Sequence, residues 1–421
     1  MNQDAMARCT VNAADVLAGA SERIRTHRQS DLKITVRDAA GKPVPGAQVK
    51  IEQTRHAFLF GNLVFSLPKL DSAEKTQRYT ELYCNLYNYA TLPFYWRSFE
   101  PERGSPRTAA LREVATWCRQ HALEVKGHPL TWHESMAPWL NDMQLDDALI
   151  VQEQRIQREV GGFAGLIDRW DVFNEATVVH WFKNWITQWC ARDGVNQIIE
   201  QAMRWARAAN PNAFLLVNDF NVWDDRYDKA MRYLAPLGLI DAIGIQSHMH
   251  ERTWPLGFVW EVCERFGVFN LPLHWTELTV LSGPAKPPKT DWHAVRTDWN
   301  STPEGEAQQA EYLAQLFTLL FSHPRVEAIT KWGFMDKTWM GAPGGIIRED
   351  LSPKPAYTAL RRLIREEWWT KAALVTAADG VATVRAFHGE HELHVNVGAG
   401  EVSKPVTVIA GRDNAVEVRL A

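Results

Sequence analysis

The run Trp170-Asp171-Val172-Phe173-Asn174-Glu175-Ala176 is an apolar β-type segment that carries an Asn-Glu pair at its carboxyl end. Far downstream, His274-Trp275-Thr276-Glu277-Leu278 closes a second apolar segment with another glutamate. Either run alone reads as a solvated acid at a strand end. Two such carboxylates can act together only if the fold gathers strand ends into one ring. A parallel (β/α) barrel does this, because its active site is built from residues at the carboxyl ends of several strands. The central chain fits that reading. Eight β-type runs, Phe58–Phe65, Asn88–Phe94, Glu124–Trp132, Ile167–Glu175, Ala213–Phe220, Ala242–His250, Pro272–Thr279 and Ala328–Met335, are separated by helical stretches such as Ala109–His121 and Glu304–Ser322. The second of these helices follows a Ser-Thr-Pro start signal. Strand–helix alternation argues for a parallel sheet, and eight strands in series argue for closure. The expected fold class is α/β, a (β/α)8 TIM barrel over residues 57–369.

The flanks have a different texture. Residues 1–30 read as a weakly helical tail, flexible or loosely docked. Leu32-Lys33-Ile34-Thr35-Val36 and Ala47-Gln48-Val49-Lys50-Ile51 alternate with period two around a Gly- and Pro-rich turn, which predicts a β-hairpin over 31–56. Short alternating runs at 381–385, 393–397, 406–408 and 416–418 predict antiparallel strands over 370–421. Together the hairpin and these strands are expected to form a small accessory β-sandwich. From Lys371 onward Phe387 is the only aromatic residue, which favours a structural role over sugar binding.

The 421 residues suffice for one large barrel and an appendage. Lys and Arg total 46 against 50 Asp and Glu, a net charge of −4. That balance gives no electrostatic reason to expect nucleic acid or an anionic membrane as partner. All 19 tryptophans fall between Trp96 and Trp369; this excess suits a cleft that stacks sugars as well as a core. The five cysteines lack Cys-x-x-Cys spacing, which argues against a zinc or redox motif. No apolar run reaches the roughly 18 to 20 residues of a membrane span, and residues 1–22 do not read as a secretory signal.

Polar residues cluster where the predicted strands end: Gly127-His128-Pro129-Leu130-Thr131-Trp132-His133, Asn218-Asp219-Phe220-Asn221, Gln246-Ser247-His248-Met249-His250 and Trp332-Gly333-Phe334-Met335-Asp336-Lys337-Thr338-Trp339. Several such ends on one rim are what an active site requires. Paired carboxylates suit glycoside hydrolysis, in which a protonated acid serves the leaving oxygen while an ionised one attacks or assists the anomeric carbon. Asn174 could then donate to a substrate 2-hydroxyl, and His248 could hold Glu277 ionised by hydrogen bonding.

These motifs, with Ser-Pro-Lys-Pro-Ala-Tyr at 352–357 and in this order from Gly61 to Leu363, closely resemble glycoside hydrolase family 10, the retaining endo-β-1,4-xylanases. The resemblance implies Glu175 as acid/base and Glu277 as nucleophile. It places His128, Trp132, Asn174, Gln246, His248, Trp332 and Trp339 around the sugar before the cleaved bond. It further implies a groove-shaped cleft, a poly- or oligosaccharide partner, no cofactor or metal, action as a monomer, and a secreted or periplasmic location. Two departures stand out. Where the family usually carries Asn-x-x-Lys-Trp, this chain has Leu92-Pro93-Phe94-Tyr95-Trp96, so Tyr95 occupies a substrate-binding position. Where the family usually has Asp two residues after the nucleophile, it has Thr279. These changes leave open a divergent glycosidase for a decorated oligosaccharide or glycoconjugate, and a sugar-binding barrel without turnover. A metal-dependent hydrolase built on His128, His133, His248 and His250 is a third alternative.

Overall fold

The computed structural model describes residues 3–65, 67, 70–286, 295–397 and 400–420. Its centre is a closed parallel barrel of eight strands: β3 (Leu59–Leu63), β4 (Tyr89–Pro93), β5 (Glu124–His128), β6 (Arg169–Asn174), β7 (Phe214–Asp219), β8 (Ala242–Met249), β9 (Leu273–Val280) and β10 (Val326–Lys331), with β10 pairing back onto β3. Each expected β run lies on one of them. Helices cover the outside, among them Thr108–Gln120 and Pro303–Ser322. The second begins where the Thr302 side chain accepts the Gly305 amide, which satisfies one of the donors a helix start leaves unpaired.

Close packing fixes the wall. A Cβ on Gly127 in β5 would stand 2.2 Å from the Trp170 ring of β6, so only glycine lets that buried indole lie across the neighbouring strand. Trp170, Trp189, Trp254, Trp275 and Trp332 are all fully buried. Much of the tryptophan excess therefore fills core volume.

The flanking strands do form a sandwich, but not through a hairpin. Strand β1 (Gln29–Arg37) pairs antiparallel with β12 (Val381–Phe387) and parallel with β15 (Asn414–Arg419). Strand β2 (Gln48–His56) pairs with β11 (Lys371–Val375) and β13 (Gly389–Val397), and β13 pairs in turn with β14 (Gly400–Val408). The turn after β1 thus crosses from one sheet to the other. Leu32, Ile34 and Val36 then meet Val49, Ile51, Leu393 and Val395 in one buried core. A hairpin would set both sets of side chains in a single sheet and leave this face open. The parallel β1–β15 pair also corrects the expectation of purely antiparallel strands.

Residues 3–28 are likewise not a loose tail. They form three short helices, Gln3–Arg8, Ala13–Ala18 and Ala20–Arg28, with Met6, Ala20 and Ile24 buried. Arg23 bonds the Ser322 hydroxyl at 3.1 and 3.2 Å, and Arg28 donates to the carbonyls of Phe321 and Val326 at 2.6 and 2.7 Å. The guanidinium of Arg28 thereby satisfies carbonyls at the end of one barrel helix and the start of β10.

The sandwich sits at the amino ends of the barrel strands. His56, buried among Phe60, Phe321, Trp369 and Phe387, marks the junction, and Arg55 pairs with Glu124 at the start of β5. Burial pushes the His56 pKa down to about 3, so this imidazole carries no charge at neutral pH.

Lys331 ends β10 fully buried, and its ammonium meets no hydrogen-bond partner among the described residues. Burial, with repulsion from Lys354 and against attraction by Asp336, lowers its pKa from 10.5 to about 7. Between those values the unfolded chain holds a proton that the folded one does not, so stability rises with pH across that window. Lys331→Met is expected to stabilise the fold by roughly 1–4 kcal/mol below about pH 7. The gain should shrink toward zero near pH 10. Urea unfolding at about pH 6 and pH 10 measures it, and an equal gain at both would contradict a charge origin.

Candidate active site

Both glutamates stand at the carboxyl rim, and each follows an irregularity in the wall. Between β6 and β7 the pairing steps from Asp171–Leu216 to Phe173–Val217, which leaves Val172 as an extra residue. Between β8 and β9 it steps from Ile245–Trp275 to Gln246–Glu277, which leaves Thr276 extra. Such bulges re-aim the side chains that follow. Glu175 itself takes a left-handed conformation (φ 58°, ψ 38°) just beyond β6, and its amide donates to the Asn218 carbonyl at 2.8 Å. A non-glycine residue held there is an uncommon strain, found most often at functional sites.

One hydrogen-bonded group joins the two acids. Trp132 Nε1 donates to Glu175 Oε2 at 2.9 Å, and Gln246 Nε2 donates to Glu175 Oε1 at 3.0 Å. Gln246 Nε2 also reaches Asn174 Oδ1 at 3.1 Å. Asn218 Nδ2 donates to both Asn174 Oδ1 and Glu277 Oε1, each at 2.7 Å. Asn218 Oδ1 accepts from the Thr276 hydroxyl, which fixes the side-chain amide's orientation. A Cβ on Gly244 would come within 2.7 Å of that oxygen, so the glycine of β8 makes room for Asn218.

Histidines complete the setting of Glu277. His248 Nε2 lies 3.1 Å from Glu277 Oε2, and His248 Nδ1 lies 3.0 Å from the Thr279 hydroxyl. A carboxylate only accepts, so Nε2 carries the proton, and Thr279 can donate to Nδ1 without adding a negative charge. Thr279 therefore orients His248 in the place where the family resemblance leads one to expect Asp. His128 Nδ1 donates to Asp171 Oδ2 at 2.7 Å, its Nε2 is 3.7 Å from Glu277 Oε1, and Lys126 Nζ is 2.7 Å from Asp171.

These surroundings drive the two carboxyls apart. Burial, reinforced by the charge of Glu277, pushes Glu175 up to about 8 despite the donors from Gln246 and Trp132. Burial acts on Glu277 as well, but His128, His248 and Lys126 outweigh it and hold that carboxyl below the usual glutamate range. At neutral pH one acid is protonated and the other ionised, the division that acid and nucleophile roles demand.

Aromatic side chains wall the cleft. Trp339 stacks on His248 at 4.7 Å and 4°, and Trp332 stands edge-on to His128 at 5.1 Å and to Phe65 at 5.6 Å. Tyr95 packs against Phe65, His128 and Trp132 at 5.5–5.9 Å. Its phenol is raised well above its ordinary value by burial and by the charges of Glu277 and Glu175. Leu92, in contrast, is fully buried in the core and presents nothing to the cleft.

The structure brings together Glu175, Glu277, His128, Trp132, Asn174, Gln246, His248, Trp332, Trp339 and Tyr95. The sequence reading gave no role to Asn218, Asp171, Lys126 or Phe65. Asn218 had a signal, its place at a strand's end; the others are ordinary core positions until the fold is known. Among the described residues no group of three His, Cys, Asp or Glu side chains could hold a metal ion. His133 instead packs on Phe182 at 4.3 Å.

A family model described as glycosyl hydrolase family 10 matches residues 60–363. Among curated proteins, the anti-sigma-I factor RsgI6 of Acetivibrio thermocellus is 25% identical over 402 residues, covering 93% of this chain and 48% of that protein. Endo-1,4-beta-xylanase B of Thermotoga neapolitana is 28% identical over 336 residues, covering 74% and 88%. The chain thus spans about half of the first relative and most of the second. Among solved structures, xylanase 10B from Thermotoga petrophila in complex with xylobiose superposes with a TM-score of 0.61 at 24% identity, over 74% of this chain and 95% of that one. The Thermobacillus composti GH10 xylanase gives 0.56 at 25% identity, over 73% and 96%.

Proposed function

The chain belongs to glycosyl hydrolase family 10, and from that premise we propose that it is a glycoside hydrolase that cleaves β-1,4-linked xylan or a related β-glycan by double displacement, with retention of configuration. The observation that carries this reading is the opposite poise of two carboxyls within one hydrogen-bonded group. Glu277, ionised, attacks the anomeric carbon, while Glu175 gives its proton to the departing oxygen, leaving a glycosyl ester on Glu277. Esterification removes the Glu277 charge that helps keep Glu175 protonated, so the pKa of Glu175 falls and its carboxylate can take a proton from water. The resulting hydroxide equivalent attacks the anomeric carbon, and Glu277 leaves. Asn174 Oδ1 is occupied by Asn218 and Gln246, which leaves its N–H groups for a substrate 2-hydroxyl, a contact that strengthens in the transition state. Polymers of this kind are met outside the cytoplasm, which supports a secreted or periplasmic setting. Among the described residues no helix is long and apolar enough to cross a membrane.

Tyr95 favours a second, narrower reading, in which the glycone is decorated or is not plain xylan. The phenol stands where the resemblance gives a lysine, and it shares its place with Phe65 and Trp132. It removes a charged donor worth about 1.5–3 kcal/mol and fills volume. Tyr95→Lys is therefore expected to raise kcat/KM on linear xylohexaose by about tenfold or more; a fall would show that the tyrosine serves the linear chain.

Product analysis on linear and decorated xylans, mixed-linkage glucan, and aryl β-xyloside and β-cellobioside tests the function. Turnover of at least one β-glycoside with a β-configured first product is expected. No turnover on any of them would favour the barrel that binds sugar without cleaving it.

A further inference from the structure

Two residues beyond the acid, Thr177 is held by a single neighbouring stretch of chain, from the end of β7 to the start of the helix Arg226–Leu234. All three of its polar groups are engaged there. Its amide donates to Asp219 Oδ2 at 3.1 Å, its hydroxyl donates to Asp219 Oδ1 at 2.9 Å, and its carbonyl accepts from Arg226 at 3.2 Å. Ala176, Thr177 and Val178 are buried, and Asp219 is fully so.

The two sides of this grip are joined to each other. The Asn221 amide donates to Asp219 Oδ1 at 2.9 Å, the Asn221 side chain donates to Asp224 Oδ1 at 3.1 Å, and Arg226 pairs with Asp224 Oδ2 at 2.6 Å. A buried carboxylate is costly unless its oxygens are bonded. The bonds of Asp219 go to the turn that carries the acid and to the loop that leads to Arg226.

Between Asn174 and Thr177 stands Glu175 in its left-handed conformation. Such a conformation persists only where the surroundings over-determine it. On one side, Asn218 and Gln246 hold the Asn174 side chain, and the Glu175 amide donates to the Asn218 carbonyl. On the other side the restraint is the Thr177 grip, so the consecutive residues Asn218 and Asp219 of β7 fix the chain before and after the strained residue. The Glu175 carboxyl itself is bonded by Trp132 and Gln246. Asp219 and Thr177 therefore act on it through the backbone.

We propose that Asp219 and Thr177 are positioning residues for the proton donor, holding the turn after β6 so that the Glu175 carboxyl meets the leaving oxygen. The inference rests on the glycosidase reading above. Its consequence is that loosening the grip harms a substrate in proportion to its leaving group's need for a proton. The test compares the unaltered chain with Thr177→Val, Thr177→Ser and Asp219→Asn on phenyl and dinitrophenyl β-glycosides of the glycone that it turns over fastest. Both leaving groups are single aromatic rings, but only phenoxide needs the proton. The ratio of kcat/KM on the phenyl to kcat/KM on the dinitrophenyl glycoside is expected to fall about tenfold or more in Thr177→Val, because a small misplacement of a reacting group can cost about 10²-fold. Thr177→Ser, which keeps the hydroxyl, should restore most of the ratio. Asp219→Asn sets an N–H group against the Thr177 donors and should lower the ratio at least as far as Thr177→Val. An unchanged ratio in Thr177→Val overturns the proposal, whether both rates hold or both fall together, and so does a Thr177→Ser that behaves like Thr177→Val. If circular dichroism shows that Asp219→Asn does not fold, the two Thr177 variants decide. Absence of turnover of any dinitrophenyl β-glycoside by the unaltered chain would instead overturn the glycosidase reading, so the two failures are distinguishable.

Discussion

Glu277→Ala is expected to lower kcat on every substrate by about 10⁴-fold or more, the scale of losing a covalent nucleophile. The loss should not depend on the leaving group, because ester formation precedes every outcome. The variant also deletes the acceptor of Asn218 and the partner of His248, so circular dichroism and thermal unfolding should accompany the kinetics to separate lost chemistry from lost fold. With the carboxylate gone, azide can enter from the face that Glu277 occupied. Activity on an activated aryl glycoside is then expected to recover in part, with an α-configured glycosyl azide as product. A β-configured azide would assign the nucleophile to another group.

Glu175→Ala should be selective where Glu277→Ala is general. General acid catalysis contributes about 10²–10⁴-fold, and the loss should approach that on oligosaccharides, whose leaving alkoxide needs a proton. Dinitrophenyl glycosides need none, so their glycosylation step should be nearly spared. The same residue sets the alkaline limb of the pH profile. Glu175 must be protonated to act, and its pKa stands at about 8, so kcat/KM on oligosaccharides should fall as pH rises through about 8. The acidic limb belongs to Glu277, which must be ionised and, against burial, is held below the usual glutamate range by His128, His248 and Lys126, so that limb should lie on the acid side of an ordinary glutamate. On dinitrophenyl substrates the alkaline limb of kcat/KM should be weak in the unaltered chain and absent in Glu175→Ala. A limb that persists unchanged would belong to a different group.

The barrel was legible because its strands repeat one pattern, an apolar run that ends in polar residues, and that pattern survives without knowledge of partners. Strand ends were less legible. Leu130 and Trp132 remain apolar, so the sequence extends β5 to Trp132, yet the regular strand stops at His128; beyond it Thr131 keeps one bridge to Phe173 of β6, and Trp132 reaches Glu175. Period-two alternation likewise identifies β1 and β2 as strands with one buried face. It does not say whether those faces lie side by side in one sheet or opposite each other in two, and the buried cluster shows the second arrangement. The helical character of the amino-terminal segment was legible, but its firm docking was not, because much of the attachment is arginine bonding carbonyls of distant helices and strands, which has no local signature.

In the site, the glutamates and the residues around them were readable from ordered motifs. Two matters needed the fold. Asn218 bridges Asn174 and Glu277 through one amide nitrogen, a role that no strand-end asparagine announces. Thr279 stands where the resemblance gives Asp, and only the fold shows that its hydroxyl meets His248 Nδ1 at 3.0 Å. The departure at Leu92 also carries less meaning than the one at Tyr95, since only Tyr95 reaches the cleft.

The central claim, a retaining mechanism with Glu277 as nucleophile, is tested most directly by trapping the ester. The chain is incubated with a dinitrophenyl 2-deoxy-2-fluoro-β-glycoside of a glycone that it hydrolyses, since the fluorine slows both formation and hydrolysis of the ester while the good leaving group restores the rate of formation, so the ester accumulates. Intact mass and peptide mapping are then read. The account predicts one glycosyl adduct per chain, on the peptide bearing Glu277, together with loss of activity that returns as the adduct turns over. A label on any other residue, or continued turnover with no adduct and an α-configured first product, would contradict it.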